Sequence, residues 1–178
     1  MPGAAFLRGD RVELRTVEHE DVAFLQRARN DPAIRQGLLF TTPKNRDVVE
    51  SFVDEVVGDD DNGSQNFLVC RPNDPDEPMG GAALFDVGRD HGTLAYWLAP
   101  EYHGEGYASE AVSLVLDHSF GTLGLHHVVA WTIEGNDASQ RLLGRLGFEQ
   151  EGRYRGHIWW NGDYRDTVHF GLLRDEWL

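Results

Sequence analysis

Lysine, cysteine and long apolar runs are scarce in this sequence. Cys70 is the only cysteine among 178 residues, so a disulfide within the chain is excluded and no cysteine spacing typical of a metal site is present. No segment approaches the roughly 18 consecutive apolar residues of a membrane-spanning helix, and the first residues lack the basic and apolar regions of a secretory signal. We therefore expect a cytoplasmic protein that makes no membrane contact and keeps its thiol reduced.

Positive charge is scarce as well. The chain has 16 basic against 30 acidic residues, a formal charge of −14, and Lys44 is the only basic residue that is not an arginine. This charge excludes a nucleic-acid-binding protein that relies on a basic surface. It favours a halophilic source, because molar salt shortens the range of self-repulsion to about 3 Å. The alternatives are a GC-rich genome that favours arginine codons and a basic partner.

The apolar residues that are present predict one folded domain over residues 1–178. A hydrophobic content of 40% suffices for a sizeable core, and the length leaves no room for a second full domain. Two acidic, turn-rich segments, 58–64 and 71–78, interrupt the pattern. Apolar periodicity predicts helices over 20–29, 45–57, 106–123 and 137–146, strands over 12–15, 66–71, 79–87, 93–98 and 128–133, and a final hairpin around Asn161-Gly162. This order is typical of a mixed α/β fold.

The segment YWLAPEYHGEGYASEAV, residues 96–112, places glycines between a predicted strand and a long predicted helix. The start of a helix offers unpaired backbone N–H groups and about half a positive charge, so a glycine turn there can bind phosphate oxygens. The alternative is a tight turn in which Gly104 and Gly106 only permit unusual backbone angles. The segment lacks the Gly-Lys-Ser/Thr of a P-loop and the glycine spacing of a dinucleotide-binding fingerprint.

The motifs that follow along the chain give this segment a context. The loop His103-Gly104-Glu105-Gly106-Tyr107-Ala108, the helix start Asn136-x-x-Ser139, the helix end Gly147-Phe148 and the hairpin Asn161-Gly162-x-Tyr164 occur in order after an opening VELRTVEHEDVAFL. In this order and spacing the chain resembles the GNAT superfamily of N-acetyltransferases, and within it the RimJ/RimL type that acetylates ribosomal-protein N-termini. The resemblance covers about residues 11–176.

The resemblance implies a mostly antiparallel sheet of about seven strands with helices on both faces. One parallel pair, formed by strands 93–98 and 128–133, is expected to splay apart and to hold the pantetheine arm of acetyl-CoA against the backbone near Leu98 and Ala99. The backbone amides of the loop His103 to Ala108 are expected to bind the pyrophosphate. Arg141 and Arg145 are candidate partners of the nucleotide phosphates, or simply solvated charges. No metal is implied.

The resemblance also assigns roles to Asn136, at the pantetheine, and to Ser139, near the cofactor sulfur. Ser139 is the expected general acid, which protonates the departing thiolate. For both residues the alternative is capping of the helix that begins there.

Two positions depart from the family pattern. His103 replaces the usual Gln or Arg of the loop, and Ile158 stands where the better-understood members carry a Glu that takes the proton of the substrate amine. We expect the proton to leave through His157, Glu134 or Asp86. Because an α-amine with a pKa of about 7.7 to 8.0 needs far less help than a lysine at about 10.4, the missing Glu favours an α-amine acceptor.

These observations predict an acetyl-CoA-dependent enzyme that transfers acetyl directly to a protein N-terminal amine, working as a monomer or homodimer. An aromatic set near the C-terminus is a candidate wall of the acceptor groove: Tyr154, Trp159, Trp160 and Tyr164. Two alternatives stay open. One is acetylation of a small cationic amine, such as a polyamine or an aminoglycoside, and the other is a non-catalytic acyl-CoA-binding module that has lost its base.

Overall fold

A computed structural model describes residues 2–59, 61 and 63–177 of the chain. An eight-stranded sheet runs through the molecule in the order β1-β2-β3-β4-β5-β6-β8-β7, and only β5 and β6 are parallel. The strands are β1 (Ala5–Arg8), β2 (Glu13–Thr16), β3 (Gln65–Arg71), β4 (Asp74–Phe85), β5 (His91–Leu98), β6 (His127–Ile133), β7 (Glu149–Trp160) and β8 (Asp163–Leu173). The expected mostly antiparallel sheet with one parallel pair is confirmed, with eight strands instead of about seven.

Six α-helices connect or flank these strands in the described part of the chain. They are α1 (Val22–Asn30), α2 (Pro32–Leu38), α3 (Arg46–Phe52), α4 (Tyr107–Asp117), α5 (Asp137–Arg145) and α6 (Arg174–Trp177). The helices predicted over 45–57 and 106–123 keep their length but change character, because α3 and α4 each continue into one wider π-helical turn, Val53–Val57 and His118–Thr122. None of the helices among the described residues is long and apolar enough to span a membrane.

One predicted boundary was wrong, and two elements were not predicted. The segment 71–78 is not a long turn, since β4 starts at Asp74 and only Pro72 and Asn73 form the turn. Helix α2 was missed because Ile34 is its only buried residue, so no apolar stripe marks it. Strand β1 was missed too, and residues 60 and 62 of the first acidic segment lie outside the described residues.

Local chemistry explains how the missed helix forms. Asp31 is the N-cap of α2 and accepts a hydrogen bond from the backbone N–H of Ala33 at 2.8 Å, while Pro32 occupies the first helical position, where no N–H is needed. The helix ends at Leu39, which adopts the left-handed conformation with φ of 57°. Helix α2 thereby lies against β5.

The sheet separates two apolar cores. On one face, which we call the α4 face, Leu94 and Leu98 of β5 and Ala130 of β6 pack in one cluster with α4 and α5. On the other, the α1 face, α1 and α3 cover β2 to β5, and Trp97 of β5 stacks on Phe24 with ring centroids 5.8 Å apart. Because side chains alternate along a strand, successive residues of β5 and β6 point to opposite faces.

Cys70 lies fully buried on β3, in the core of the α1 face. Burial raises the pKa of its thiol from 9.0 to about 12; among the smaller effects of nearby charges, Arg15 lowers this pKa and the carboxylates of Asp21, Glu13 and Asp76 raise it. The thiol is therefore protonated at neutral pH and is a poor nucleophile.

Candidate active site

The parallel pair β5 and β6 opens into a gap. Ladder pairing covers only three positions, His91 with His127, Gly92 with Val128 and Thr93 with Val129, after which the strands separate. Towards the gap, Val129 is therefore the last paired residue of β6. On its other side β6 pairs with β8 along its whole length. The gap is therefore bordered by β5 from one half of the sheet and by β6 from the other.

The edge of β5 presents backbone groups to this gap. Leu98 lies opposite Gly80 of β4, and the N–H of Ala99 donates to the carbonyl of Met79 at 2.8 Å. This is the pattern of a pair that exchanges no hydrogen bonds, so the N–H and C=O of Leu98 point away from β4, into the gap. The same alternation directs the backbone groups of Tyr96 into the gap.

This geometry corrects the expectation for Ala99. Its amide is bound within the sheet to Met79 and is not free for the pantetheine arm, whereas the amides of Leu98 and Tyr96 are directed into the gap. The carbonyl of Leu98 already has a partner, since the Nε2 atom of His103 lies 2.9 Å from it. His103 thus fastens the start of the glycine loop to the end of β5.

The loop has the geometry that binding of an anion requires. Gly104 and Gly106 have φ of 80° and 85°, in the left-handed region that glycine adopts without strain. Gly106 is the N-cap of α4, and Tyr107 and Ala108 begin its first turn, where backbone N–H groups have no partner within the helix. A Cβ added at Gly104 meets no atom within 4 Å, so the loop surface is open to a ligand. These residues fit the pyrophosphate of a coenzyme A thioester.

Arg11 supports this loop from the turn between β1 and β2, and the sequence reasoning missed it. Its Nη1 atom donates to the carbonyl of Glu105 at 2.7 Å, and its guanidinium lies over the Tyr107 ring at 4.6 Å. The backbone N–H of Arg11 donates in turn to the carboxylate of Glu110 at 2.8 Å. No sequence pattern marks Arg11, because its partners lie almost 100 residues away.

Asn136 and Ser139 meet at the start of α5, on the α4 face of the gap. The backbone N–H of Ser139 donates to the Oδ1 atom of Asn136 at 3.3 Å, so the capping alternative for Asn136 is present in the structure. The Ser139 hydroxyl lies 2.7 Å from the hydroxyl of Tyr96 on β5. The structure thus joins the expected acid to a tyrosine that the sequence reasoning did not single out.

Tyr96 is poised to remain protonated. Burial raises the pKa of its phenol, and the hydrogen bond with Ser139 and the charge of Arg145 oppose this only in part. At neutral pH the pair therefore offers a neutral O–H donor on the α4 face of the gap, where a thiolate would leave. Tyr96 could have been found from its position in the last strand before the glycine loop, two residues before Leu98.

Arg141 and Arg145 both lie exposed on α5. Their role as partners of the nucleotide phosphates stays a prediction, beside the alternative of solvated charges.

Glu134 is held by other groups. Its two carboxylate oxygens accept from the side chain of Arg153 at 2.7 Å and from the backbone N–H of Asp166 at 3.3 Å. Arg153 also donates to Asp166, whose pKa is lowered first by the N–H of Gly156 and then by Arg153. Because both oxygens of Glu134 are engaged, its structural role argues against the expected role of proton acceptor.

The predicted aromatic wall divides into two parts. Trp159 and Tyr164 contact each other edge to face, 5.1 Å apart, near the tip of the β7–β8 hairpin, and they are 60% and 63% exposed. Tyr154 lies apart from them, against His157 and His169. A continuous wall from Tyr154 to Tyr164 is therefore not formed.

A strongly acidic groove of about 600 Å³ lies on the α1 face, between α1, α2, the start of β4 and the chain that follows β5. Its floor includes Ala99 and Pro100, directly after Leu98. Six carboxylates line it against a single arginine, Arg27: Glu20, Asp21, Asp31, Asp76, Glu77 and Glu101. Phe24 and Tyr102 add aromatic surface. Among the described residues no cluster of three His, Cys, Asp or Glu side chains is arranged to hold a metal ion.

The chain matches the acetyltransferase (GNAT) domain family over residues 11–149. A parallel pair of strands that separates, followed by a glycine loop at a helix start, is typical of proteins that use an acyl-CoA. The family match covers more than half of the chain. The chain therefore belongs to the GNAT acetyltransferases. It is an acetyl-CoA-dependent N-acetyltransferase.

Relatives with known names agree with this assignment. The chain is 29% identical over 170 residues to the uncharacterized SPbeta prophage-derived N-acetyltransferase YokL of Bacillus subtilis (strain 168), covering 94% of this chain and 93% of the relative. It is 33% identical to YdaF of the same organism, provisionally named a ribosomal N-acetyltransferase, over 84 residues, 47% and 46% of the two chains. It is 25% identical to spermidine N(1)-acetyltransferase of Escherichia coli (strain K12) over 171 residues, 94% and 88% of the two chains. These names support the enzyme over the non-catalytic alternative.

A solved structure shares the fold over almost the whole chain. Spermidine N-acetyltransferase from Vibrio cholerae, in complex with CoA and spermine, superposes with a TM-score of 0.87 at 23% identity, covering 95% of this chain and 99% of that one. The GNAT fold is thereby confirmed.

Proposed function

We propose that the acetyl acceptor is the primary amine of a small polycation, of the polyamine class. The acidic groove beside the end of β5 carries this proposal. Six carboxylates against one arginine create a field that attracts cations and repels anions, and the low dielectric of the walls strengthens it. Proteins named for acetylation of spermidine occur among both the sequence relatives and the structural neighbours.

The groove and the reaction gap are bordered by neighbouring residues of the chain. Ala99 lines the groove, and the neighbouring Leu98 directs its N–H into the gap. A polycation lying in the groove can therefore present one terminal amine at the gap while its remaining charges face the carboxylates of Glu20 and Glu101.

The residues at the gap supply two parts of the reaction. The N–H groups of Leu98 and Tyr96 can polarise the thioester carbonyl as charge develops on its oxygen. The hydroxyl oxygens of Ser139 and Tyr96 lie 2.7 Å apart. This pair can donate a proton to the departing thiolate. Direct attack by the amine requires no nucleophile from the protein, in agreement with the buried, protonated thiol of Cys70.

A charge-matched pair of variants tests the groove. Glu20→Gln combined with Glu101→Gln removes two carboxylates from the groove, and Glu149→Gln combined with Asp175→Asn removes two exposed ones elsewhere. We expect the first variant to raise the KM for spermidine about 5- to 10-fold at low ionic strength with little change in kcat, and the second to change neither by more than about twofold. Release of free thiol from acetyl-CoA measures both constants.

Equal effects of the two variants on KM would show that the groove does not hold the acceptor. Acetylation of neutral-tailed peptide N-termini in preference to polyamines would refute the polycation and support the second candidate below. Added salt provides a further check, since it should weaken spermidine binding by the wild-type protein and leave the groove variant less affected.

A protein N-terminal α-amine is the second candidate. The absence of a carboxylate at Ile158 favours it, because an α-amine is partly neutral at pH 7 and needs less help from a base. The match to YdaF over about half of each chain adds support. Mass spectrometry of N-terminal acetylation in source cells with and without the protein tests this candidate.

We further propose that the protein works as one catalytic unit over residues 1–178 in a salty cytoplasm. The support is compositional: a charge of −14 and one lysine among 16 basic residues. High salt would also screen the repulsion between this acidic protein and its anionic cosubstrate, leaving the local amides of the loop to decide binding.

A further inference from the structure

Two histidines lie on the α1 face of β7 and β8 in an aromatic surround that the mechanism above does not use. His169 of β8 stacks on Trp131 of β6 with ring centroids 6.2 Å apart, and its ring is tilted by 32° against that of Tyr154 of β7, with centroids 4.1 Å apart. His157 of β7 contacts the Tyr154 ring edge to face at 5.1 Å. Trp131 and Tyr154 are 43% and 53% exposed, so this cluster is accessible from solvent.

One hydroxyl links the two histidines. The Nδ1 atom of His157 lies 2.7 Å from the Oγ1 atom of Thr167, and the same Oγ1 atom lies 2.9 Å from the Nε2 atom of His169. Thr167 is completely buried, so water does not compete for its hydroxyl. The three side chains therefore form a continuous hydrogen-bonded chain.

A bulge in β7 brings His157 into this chain. Tyr154 pairs with Thr167 and Ile158 with Arg165, so four steps along β7 match only two along β8. Gly156, in the middle of the bulge, has φ of 53° and its N–H donates to the carboxylate of Asp166 at 2.8 Å. A bulge redirects side chains from the regular alternation, and here it places His157 over Thr167.

The chain of hydrogen bonds is directional. A threonine hydroxyl has one proton, so it donates to one histidine and accepts from the other. When Thr167 donates to His157, His169 must donate from Nε2, and its Nδ1 atom is left with a free lone pair. Reversing every bond moves the free lone pair to the Nε2 atom of His157. Such a chain can take up a proton at one end and release one at the other.

The chain lies on the side of the gap opposite to the acid. Tyr96 and Ser139 occupy the α4 face, whereas Trp131, which follows the buried Ala130 by one residue, projects from the α1 face. Trp131 is the first β6 side chain on that face beyond the last β5–β6 pair at Val129, so it borders the gap. His169 is its direct neighbour on β8, one strand spacing of about 4.8 Å further.

We propose that His169 accepts the proton of the attacking amine, directly or through one water, and that Thr167 and His157 pass it to solvent. This proposal rests on the proposed acetylation of an amine. The amine N–H bond breaks as the N–C bond to the acetyl carbon forms, and the proton binds Nδ1 of His169. The Nε2 proton of His169 moves to Thr167, the Thr167 proton moves to Nδ1 of His157, and His157 releases its Nε2 proton. The C–S bond breaks, the thiolate takes a proton from the Ser139–Tyr96 pair, and the pair regains a proton from solvent.

The proton balance explains why a path to solvent is useful. An acceptor that arrives as an ammonium ion loses two protons for each amide formed. One equivalent leaves on the thiol of coenzyme A, and the other must reach bulk water. A base that lies between the rings of Trp131 and Tyr154 must lose this proton before it can act again.

The protonation state of His169 suits this role. Burial lowers its pKa, and the charge of His157 lowers it further, so the imidazole is neutral at pH 7. The groups that face it are His157 and Tyr154 from β7 and Trp131 from β6. His127 and Glu151 form a pair on the same face, with 3.0 Å between nitrogen and oxygen. Arg165 of β8 lies two residues before Thr167 and is therefore directed to this face as well. The rate of acetylation should therefore fall as the pH decreases through a pKa below the ordinary value of about 6.5.

Three variants and a pH profile test the proposal. We expect His169→Gln to lower kcat/KM for spermidine about 100-fold at pH 7 and to abolish the acidic limb of its pH profile, with the KM for acetyl-CoA unchanged. Thr167→Val keeps the shape of the side chain but breaks the relay, and should lower kcat/KM about 10-fold while retaining the acidic limb. His126→Gln, at an exposed position just before β6, should behave like the wild type.

A His169→Gln rate within about twofold of the wild type, with the same acidic limb, would overturn the proposal. If the wild-type protein acetylates no amine, the proposed function fails, and the relay is tested separately by NMR titration of the imidazole groups. Thr167→Val should then change the titration of both His157 and His169. Unchanged titration of both would show that no relay exists.

Discussion

One side of the gap is formed mainly by backbone groups and the other by side chains. On the α4 face, the parts that would hold acetyl-CoA are mainly backbone: the amides of Leu98 and Tyr96, the left-handed Gly104 and Gly106, and the first turn of α4. On the α1 face, the proposed acceptor side consists of side chains from α1, α2, β4, β6, β7 and β8. The cosubstrate side is thus local in sequence, and the acceptor side is assembled from distant segments.

This difference explains how one fold serves many acceptors. Backbone amides bind pyrophosphate through geometry, which tolerates many side-chain changes as long as the glycines remain. Carboxylates and aromatic rings on the acceptor side change charge and shape with each substitution. The acceptor can therefore change without loss of acetyl-CoA binding, and the comparison predicts that variants on the two sides have separable effects.

The largest effect is expected at the glycine loop. Gly106→Val places a β-branched residue at φ of 85°, a conformation that such residues avoid, and forces the loop out of the shape that binds pyrophosphate. We expect affinity for acetyl-CoA to fall at least about 100-fold, corresponding to roughly 2.7 kcal/mol, as measured by calorimetry.

Gly121→Val is the matched control. Gly121 lies at an exposed position where an added Cβ meets no atom within 4 Å, and its φ is not positive. It should bind acetyl-CoA as the wild type does. Circular dichroism of both variants checks that they fold, and a Gly106→Val protein that is folded and retains its affinity would contradict the backbone account of this side.

An intermediate effect is expected at the acid. Tyr96→Phe removes the hydroxyl that lies 2.7 Å from Ser139, and we expect kcat to fall about 10- to 100-fold with little change in the KM for acetyl-CoA. Because the two hydroxyls act as one donor, Ser139→Ala should cost about the same, and the double variant little more.

Steady-state assays of the two single variants and the double variant measure this coupling. Tyr164→Phe, which alters an exposed hydroxyl at the tip of the β7–β8 hairpin, serves as the control and should be silent. Strictly additive losses in the double variant would show that Tyr96 and Ser139 act separately.

The smallest effect is expected at Glu134, which the sequence made a candidate base. Its oxygens are engaged by Arg153 and by the N–H of Asp166, so Glu134→Gln should lower stability slightly and leave kcat within about twofold of the wild type. Initial rates with spermidine across the pH range measure this. Loss of the acidic limb in Glu134→Gln, rather than in His169→Gln, would move the base from β8 to Glu134.

Sequence reasoning reached the cosubstrate side because its signals are contiguous. Glycines before a helix, an N-cap at Asn136 and a continuous apolar strand at 128–133 each report local backbone geometry, and the structure confirms those elements within a residue or two. The exception is Ala99, whose bond to Met79 depends on the register of β4 against β5. Register between strands cannot be read from either strand alone.

The residues of the proposed acceptor side could not be predicted from the sequence for the same reason. The direction of the His157 side chain cannot be predicted from regular strand alternation, because β7 has a bulge at this point. The bulge depends on the hydrogen bond between Gly156 and Asp166 across the hairpin. The groove likewise joins Glu20 to Glu101 only once α1 has packed on the sheet.

The short ladder between β5 and β6 has a consequence for the protein when no substrate is bound. Three pairs of residues join β5 to β6 and thereby the two halves of the sheet. Beyond Thr93, the backbone groups of β5 that face β6 have no neighbouring strand. An acetyl-CoA molecule lying in the gap would act as that strand and complete the sheet. Because a ligand that binds only the folded state stabilises it, we expect bound acetyl-CoA to hold the two halves of the sheet together more firmly than in the free protein.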